Sequence, residues 1–267
     1  MNPIDAFRQA NGDVLDIWTA FPRAAQAWYG LSLAPAPALE NDWLTRVEDG
    51  SERPVGESVR ALVRLAAMIK AAPSGEGPFV LLPALRLVDS GRGMALFADR
   101  DGEGMFFGIA TSAPDEGEDV AIYSYDHDLD PDEIDPEDLE TDADGQAVVP
   151  CQRELNATSP EAFALDLLVS GFAPEGALHL IGCCDEDEAD DLDEEAQNCL
   201  GPPVDVAETR LYGAADLLVK CRYAYPLGYE VHVMARHRRA CDPLTDAFMR
   251  QIGLSTLAFD RHEWAEG

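Results

Sequence analysis

His179, Cys183 and Cys184 lie close together, with Asp185, Glu186 and Cys199 behind them. Neutral imidazole and thiolate are the natural ligands of tetrahedral zinc. The spacing fits no common zinc pattern, however, and adjacent cysteines diverge on an extended chain. His179 alternates with Leu178 and Leu180, which reads as the surface of a strand. No metal site is expected from this group. A second cluster invites calcium: Asp126, Asp128, Asp130 and Asp132 alternate, and Glu133 follows. Calcium takes hard oxygen ligands, but an EF-hand loop needs glycine at its sixth position and a late bidentate Glu. Pro131 and Glu133 break that pattern. Non-specific attraction of cations is expected there, not a dedicated site.

Other chemistry is equally poorly marked. The chain contains no GxSxG, P-loop, GxGxxG, HExxH or CxxC motif. The glycines between Ser90 and Gly104 fall in turns between strands, whereas a phosphate cradle needs a helix N-terminus. His232 and His237 flank Arg236, Arg238 and Arg239. That basic group reads as a neutraliser of nearby acidic loops or as a segment after a strand end, with a catalytic histidine as the minor alternative. Trp18, Trp28, Tyr29 and Trp43 read as core residues. The six cysteines form no regular framework, so free thiols are expected and cofactors are not.

The carboxylates say more through their distribution. Residues 115–144 hold fifteen Asp and Glu and no Lys or Arg, and residues 185–195 hold nine more acids. These two runs account for 24 of the 51 acidic residues; the other 27 stand against 19 Lys and Arg, an ordinary balance. Most of the formal charge of -32 is therefore concentrated in two segments. Such a field repels DNA, RNA and anionic membranes and favours basic proteins and cations. Solubility or salt adaptation is the plainer explanation of the same charge.

The elements around these runs follow from periodicity. Residues 4–31 read as mostly helical, with Asn11-Gly12 and Pro22 as interruptions. A Pro-rich connection covers 33–38, and an amphipathic helix covers 57–72. Strands are expected at 79–82, 85–88, 93–98, 105–110 and 120–125, joined by turn residues. Ser159 followed by Pro160 marks a helix start, and that helix runs to Gly171. Three strands (208–212, 216–221, 229–235), a helix at 243–252 and a last strand at 254–259 complete the chain. The acidic runs near 126–146 and 185–198 read as loop insertions. No apolar run is long enough to span a bilayer, and the N-terminus lacks the pattern of a secretory signal. A cytoplasmic protein is expected.

With that order in place, a resemblance emerges. Phe21-Pro22-Arg23 with Ala27-Trp28-Tyr29 resembles an early helix of the SMI1/KNR4-like (SUKH) superfamily. Leu85 to Ala98 followed by Gly102 to Ile109 resembles the central hairpin of that family. Asp119 to Tyr123 and Ser159 to Gly171 resemble its next strand and helix. Leu211 to Val219, Tyr229 to Ala235 and the helix to Gly253 are similar to its closing elements. The resemblance implies an α+β domain without shared catalytic residues that binds other proteins. Many bacterial members are immunity proteins against toxins, and many of those toxins are nucleases.

The expectation is therefore one α+β domain over 1–267. A mostly antiparallel central sheet carries packed helices and acidic loop insertions. Its expected role is to bind a basic toxin, of nuclease type, through Asp126, Asp128, Asp130, Asp132, Glu133, Asp185, Glu186, Asp187, Glu188, Asp190 and Asp191. Two alternatives stand beside it: an acidic DNA mimic or regulatory binder, and a metal-dependent enzyme.

Overall fold

The computed structural model describes residues 2–8, 13–50, 55–72, 79–88, 93–99, 106–110, 121–125, 140–141, 147–148, 153–170, 178–224 and 228–253. The class is α+β, and every described strand pairing is antiparallel. The chain falls into two compact units, Met1–Ser32 with Ala164–Gly267, and Leu33–Phe163. Each unit has its own five-stranded sheet in place of the single central sheet expected, and a two-stranded ribbon stands beside them in sequence.

In the first unit, Pro3–Phe7 form a 3-10 turn and Ile17–Tyr29 form α1. Asp16 caps α1 by accepting from the Thr19 N–H at 3.0 Å, and Gly30 ends it at φ 69°. Pro22 lies inside α1 without breaking it, contrary to the interruption expected there. Phe21, Ala24, Ala25 and Trp28 put one side of this helix in the interior, and that packing holds the helix through the proline.

The second unit opens with α2, Pro37–Gly50, and α3, Glu57–Ala71. The Pro-rich reading of 33–38 missed α2. Its low apolar content hides it, and Trp43 and Val47 alone are deeply buried on it. A meander follows: β1 (Phe79–Val88), β2 (Gly93–Asp99), β3 (Phe106–Ala110) and β4 (Ile122–Tyr125). Two expected strands merge into β1, and the register slips between Leu81 and Arg86. Pro83 lies in that interval and has no N–H for a ladder. A small ribbon joins β5 (Glu140–Thr141) to β6 (Ala147–Val148), at the end of the expected first acidic insertion. Then β7 (Arg153–Ala157) pairs with β4 and completes the sheet β1-β2-β3-β4-β7. Phe163 packs on Phe97 and Phe107 at ring separations of 5.6 and 5.8 Å.

The boundary between units falls within α4, Pro160–Ser170. Its start was legible: the Ser159 hydroxyl accepts from the Ala162 N–H at 3.1 Å, and Pro160 follows. The first unit resumes with β8 (Leu178–Cys184), α5 (Ala189–Leu200), β9 (Val204–Val206), β10 (Thr209–Ala214), β11 (Leu217–Ala224), β12 (Gly228–Ala235) and α6 (Asp246–Gln251). The sheet order is β8-β12-β11-β10-β9. The last expected strand, 254–259, lies outside the described residues, as does Asn11-Gly12.

The second acidic run corrects an expectation. Residues 185–198 are not a loop: Glu186–Glu188 form a 3-10 turn and α5 continues it. Leu192 and Ala196 are buried, and Cys199 and Leu200 pack beside them in the same core. This spacing of four, three and one residues is an apolar helical stripe hidden among nine acids. Asp190 and Asp191 in the first turn also favour the helix through its dipole.

One face of this sheet carries the core. Val219, Val231 and Val233 pack there with Leu192 of α5 and with Phe248 and Ile252 at α6. Close approach at one point makes glycine obligatory: a Cβ on Gly182 would lie 2.3 Å from the Ile252 carbonyl oxygen. Among the described residues no helix is long and apolar enough to cross a membrane. Gly182→Ala is expected to destabilise the first unit by about 2 kcal/mol through overpacking against backbone. Urea denaturation followed by circular dichroism checks this, and a variant as stable as the parent would contradict it.

Candidate functional site

Of the residues expected to bind a partner, Asp126, Asp128, Asp130, Asp132 and Glu133 lie outside the described residues. Asp185, Asp187, Glu188, Asp190 and Asp191 are exposed at the start of α5 and in the turn before it, where Glu186 also sits. Among the described residues, Asp187, Glu188, Asp190, Asp191 and Glu194 have no basic partner. Asp193 differs: it accepts from the buried Tyr212 hydroxyl and pairs with Arg210 at 3.0 Å. That pairing, with Leu192 and Ala196, fixes the helix so that its remaining acids face outward.

The candidate zinc ligands separate. Cys183 is exposed and Cys184 is buried, as alternation along β8 requires. Burial, with nearby carboxylates behind it, pushes the Cys184 thiol up to about 11. Burial also raises Cys221 and Cys241 to about 12, so all three remain protonated thiols at neutral pH. Among the described residues, no group of three or more His, Cys, Asp and Glu converges in a way that could hold a metal ion.

The basic cluster follows the end of β12, and Arg236 and His237 within it meet Asp216, outside both acidic runs. Arg236 bonds Asp216 at 3.3 Å, donates to the Ala27 carbonyl at 3.1 Å and lies 5.2 Å over the Trp28 ring. Asp216 is held at φ 61° in the two-residue turn between β10 and β11. His237 accepts the Ala240 N–H on Nδ1 and places Nε2 3.6 Å from Asp216. With Nδ1 occupied as a cap, this imidazole is not placed as a general base. Trp28 and Trp43 are buried, as core residues should be.

His179 and His232 are brought together instead, within a layer of charge on the sheet face opposite the core. Cross-strand register sets the rows. Ile181 of β8 stands opposite His232 of β12, which stands opposite Lys220 of β11. In the next row Cys183, Glu230 and Arg222 align. The Lys220 side chain is only 1% exposed, and its ammonium donates to Asp166 of α4 at 2.7 Å. Arg222 donates to the other Asp166 oxygen at 2.6 Å and to Glu230 at 3.1 Å. His232 Nε2 lies 3.2 Å from Glu230 but off the direction of an aligned hydrogen bond, and its Nδ1 lies 3.0 Å from His179 Nε2.

The electrostatics follow from this chain of contacts. Glu230 is held down to about 2, first by His232 and further by the Lys220 and Arg222 charges, against a burial that raises it. His179 is lowered to about 4 by burial first and by the His232 and Lys220 charges after that. Two cations and two carboxylates balance, and the buried Lys220 charge is tolerated only while Asp166 answers it. Sequence reading flagged the histidines and missed Asp166, Lys220, Arg222 and Glu230. The available signal was alternation of charge with apolar residues along β11 and β12, which a solvent-facing strand would show equally.

No protein-family model, curated protein or solved structure matches the chain.

Asp166→Ala is expected to cost about 3 kcal/mol, because it leaves the Lys220 ammonium buried and unpaired. Lys220→Met should cost less than about 1 kcal/mol, since Arg222 still satisfies Asp166. Equal losses in denaturant titrations would contradict this layer. Glu230 binds its proton more weakly folded than unfolded, so its contribution is complete above pH 4.5 and disappears as pH falls through about 2. Glu230→Gln should therefore lower stability at pH 7 and flatten its fall between those limits, as read by thermal melts across pH.

Proposed function

We propose that the chain is a non-enzymatic, cytoplasmic binding protein of the immunity type, whose acidic surface captures and neutralises a basic, nuclease-like toxin. One observation carries this reading. Asp187 in the 3-10 turn, and Asp190, Asp191 and Glu194 along the outer side of the anchored helix that continues it, repeat at three- and four-residue spacing without basic partners among the described residues. Like charges at this spacing cost a helix a few tenths of a kcal/mol per pair. The dipole offsets that cost in the first turn and leaves it uncompensated at Glu194. A stripe kept against its own repulsion suits a partner that supplies the missing cations.

Nuclease grooves that grip phosphate are basic, and opposite charge accelerates encounter with such a surface. Fixing the acids on a helix also lowers the ordering cost of binding compared with a free loop. The similarity of chain order to SUKH immunity proteins supports the same reading. The acids of 126–133 add charge of the same sign to the chain.

The test uses a basic nuclease domain encoded beside this gene, bound at low and at high salt and assayed for cleavage. The combined variant Asp187→Asn, Asp190→Asn, Asp191→Asn, Glu194→Gln should fold normally and associate at least about tenfold more slowly at low salt. Tight, salt-sensitive binding that abolishes cleavage and is weakened in the variant is the expected result. Binding indifferent to both salt and neutralisation, or no inhibition of cleavage, would overturn the proposal.

A further inference from the structure

The two imidazoles on the polar face of the first unit's sheet impose a condition on protons. His179 Nε2 and His232 Nδ1 are 3.0 Å apart, with ring centroids 5.2 Å apart and planes inclined by 26°. At that distance one hydrogen must lie between the two nitrogens: two N–H groups would collide, and two lone pairs would repel. Glu230 lies 3.2 Å from the far nitrogen of His232, and its negative charge favours N–H there even off the direction of a hydrogen bond. In the neutral pair, His179 Nε2–H therefore donates to His232 Nδ1. One additional proton is accommodated, because the bridge still holds a single hydrogen whichever ring takes it. A second additional proton has no place, because both facing nitrogens would then carry hydrogen.

We infer that His179 and His232 form an acid-operated latch, in which the pair stays closed with at most one extra proton and a second one unfastens β8 from β12. The position of the pair suits this. Among the described strands β8 is an outer one of its sheet, Ile181 on it is 53% exposed, and it leads directly into the turn before α5. His232, by contrast, lies in β12 between β8 and β11, with a side chain only 9% exposed. The His179 ring is therefore the one that can leave.

The surrounding charges oppose the second proton. Lys220 and Arg222 on β11 bring two cations to the layer. Glu230 on β12 touches the pair, while Asp166 on α4 is taken up by Lys220 and Arg222. On β8 itself, Cys183 is the neighbouring titratable group of the same face. The 3-10 turn at Pro3–Phe7, which packs on β10 and β11, brings an exposed Asp5. Arg8, just after that turn, donates to the carbonyls of Pro202 and Pro203.

The direction of the response follows. In the closed pair His179 resists its proton down to about 4, against its ordinary 6.5 once released. The closed form is thus fully favoured above 6.5 and loses that advantage as pH falls toward 4. Because one proton is taken up on opening, the opening equilibrium rises by up to about tenfold per pH unit in this window.

The full-length protein is tested by amide hydrogen exchange across this window, corrected for intrinsic exchange rates. Protection of β8 should fall with pH at up to that slope while α3 keeps its protection. His179→Gln cannot take a proton and should flatten the β8 response; His237→Gln, outside the layer, should leave it intact. A pH-independent β8, or a full response retained in His179→Gln, overturns the latch. Should His179→Gln fail to fold, nitrogen-15 spectra of the imidazoles in the parent protein decide. One ring resisting full protonation until β8 opens supports the latch, and two rings titrating independently near the ordinary value overturn it.

Discussion

The Lys220 ammonium sits in the interior of the first unit and has to be answered there. Its answer is Asp166, at 2.7 Å, on a helix more than fifty residues earlier in the chain. A buried cation is tolerated only with its partner in place, so this single pair fixes the end of α4 on the polar face of the sheet. Arg222 shares the same carboxylate and extends the constraint to Glu230, and Glu230 extends it to His232. Each carboxylate touches two cationic or imidazole groups, which makes the strand register, the helix position and the histidine contact one problem with one solution. A slip of β11 by one residue would move Lys220 into the apolar core and Val219 into the polar layer.

The two faces of that sheet separate two jobs. The apolar face, closed by Leu192, Phe248 and Ile252, supplies the hydrophobic stabilisation and holds α5 down. The polar face specifies arrangement more than it stabilises, because desolvation of its charges offsets much of their attraction. The tight crossing at Gly182 belongs to the first job: the backbone at Ile252 comes so near β8 that no side chain fits between them. The acidic helix benefits from this division. Its charge can be high on the outside because its attachment depends on the apolar stripe and the Asp193–Tyr212 contact, and not on the exposed acids.

Legibility in the sequence tracked how local each signal was. The Ser159-Pro160 start of α4, the meander of short strands and the amphipathic α3 were readable because capping and periodicity act within a few residues. The second acidic run misled because its composition outweighed its pattern: Leu192, Ala196 and Cys199 carry the helical period, but nine acids give the segment the look of a loop. Pro22 misled in the opposite way, since a burial pattern that only the folded unit displays keeps α1 intact around it. His179 drew attention for the wrong neighbours. Its companions in sequence, Cys183 and Cys184, point elsewhere, and its real companion, His232, is 53 residues away.

The sequence by itself determined the α+β class, the antiparallel strands, the helix caps and the uneven placement of charge, because each depends on residues near one another along the chain. Tertiary structure alone decided which charges are buried and which are exposed. Lys220 and Arg236 are both cations at or beside strands, yet one lies 1% exposed over Asp166 and the other is exposed over Trp28. The difference arises from what the fold brings across from distant segments, since the cost of burying a charge depends on the partner that meets it.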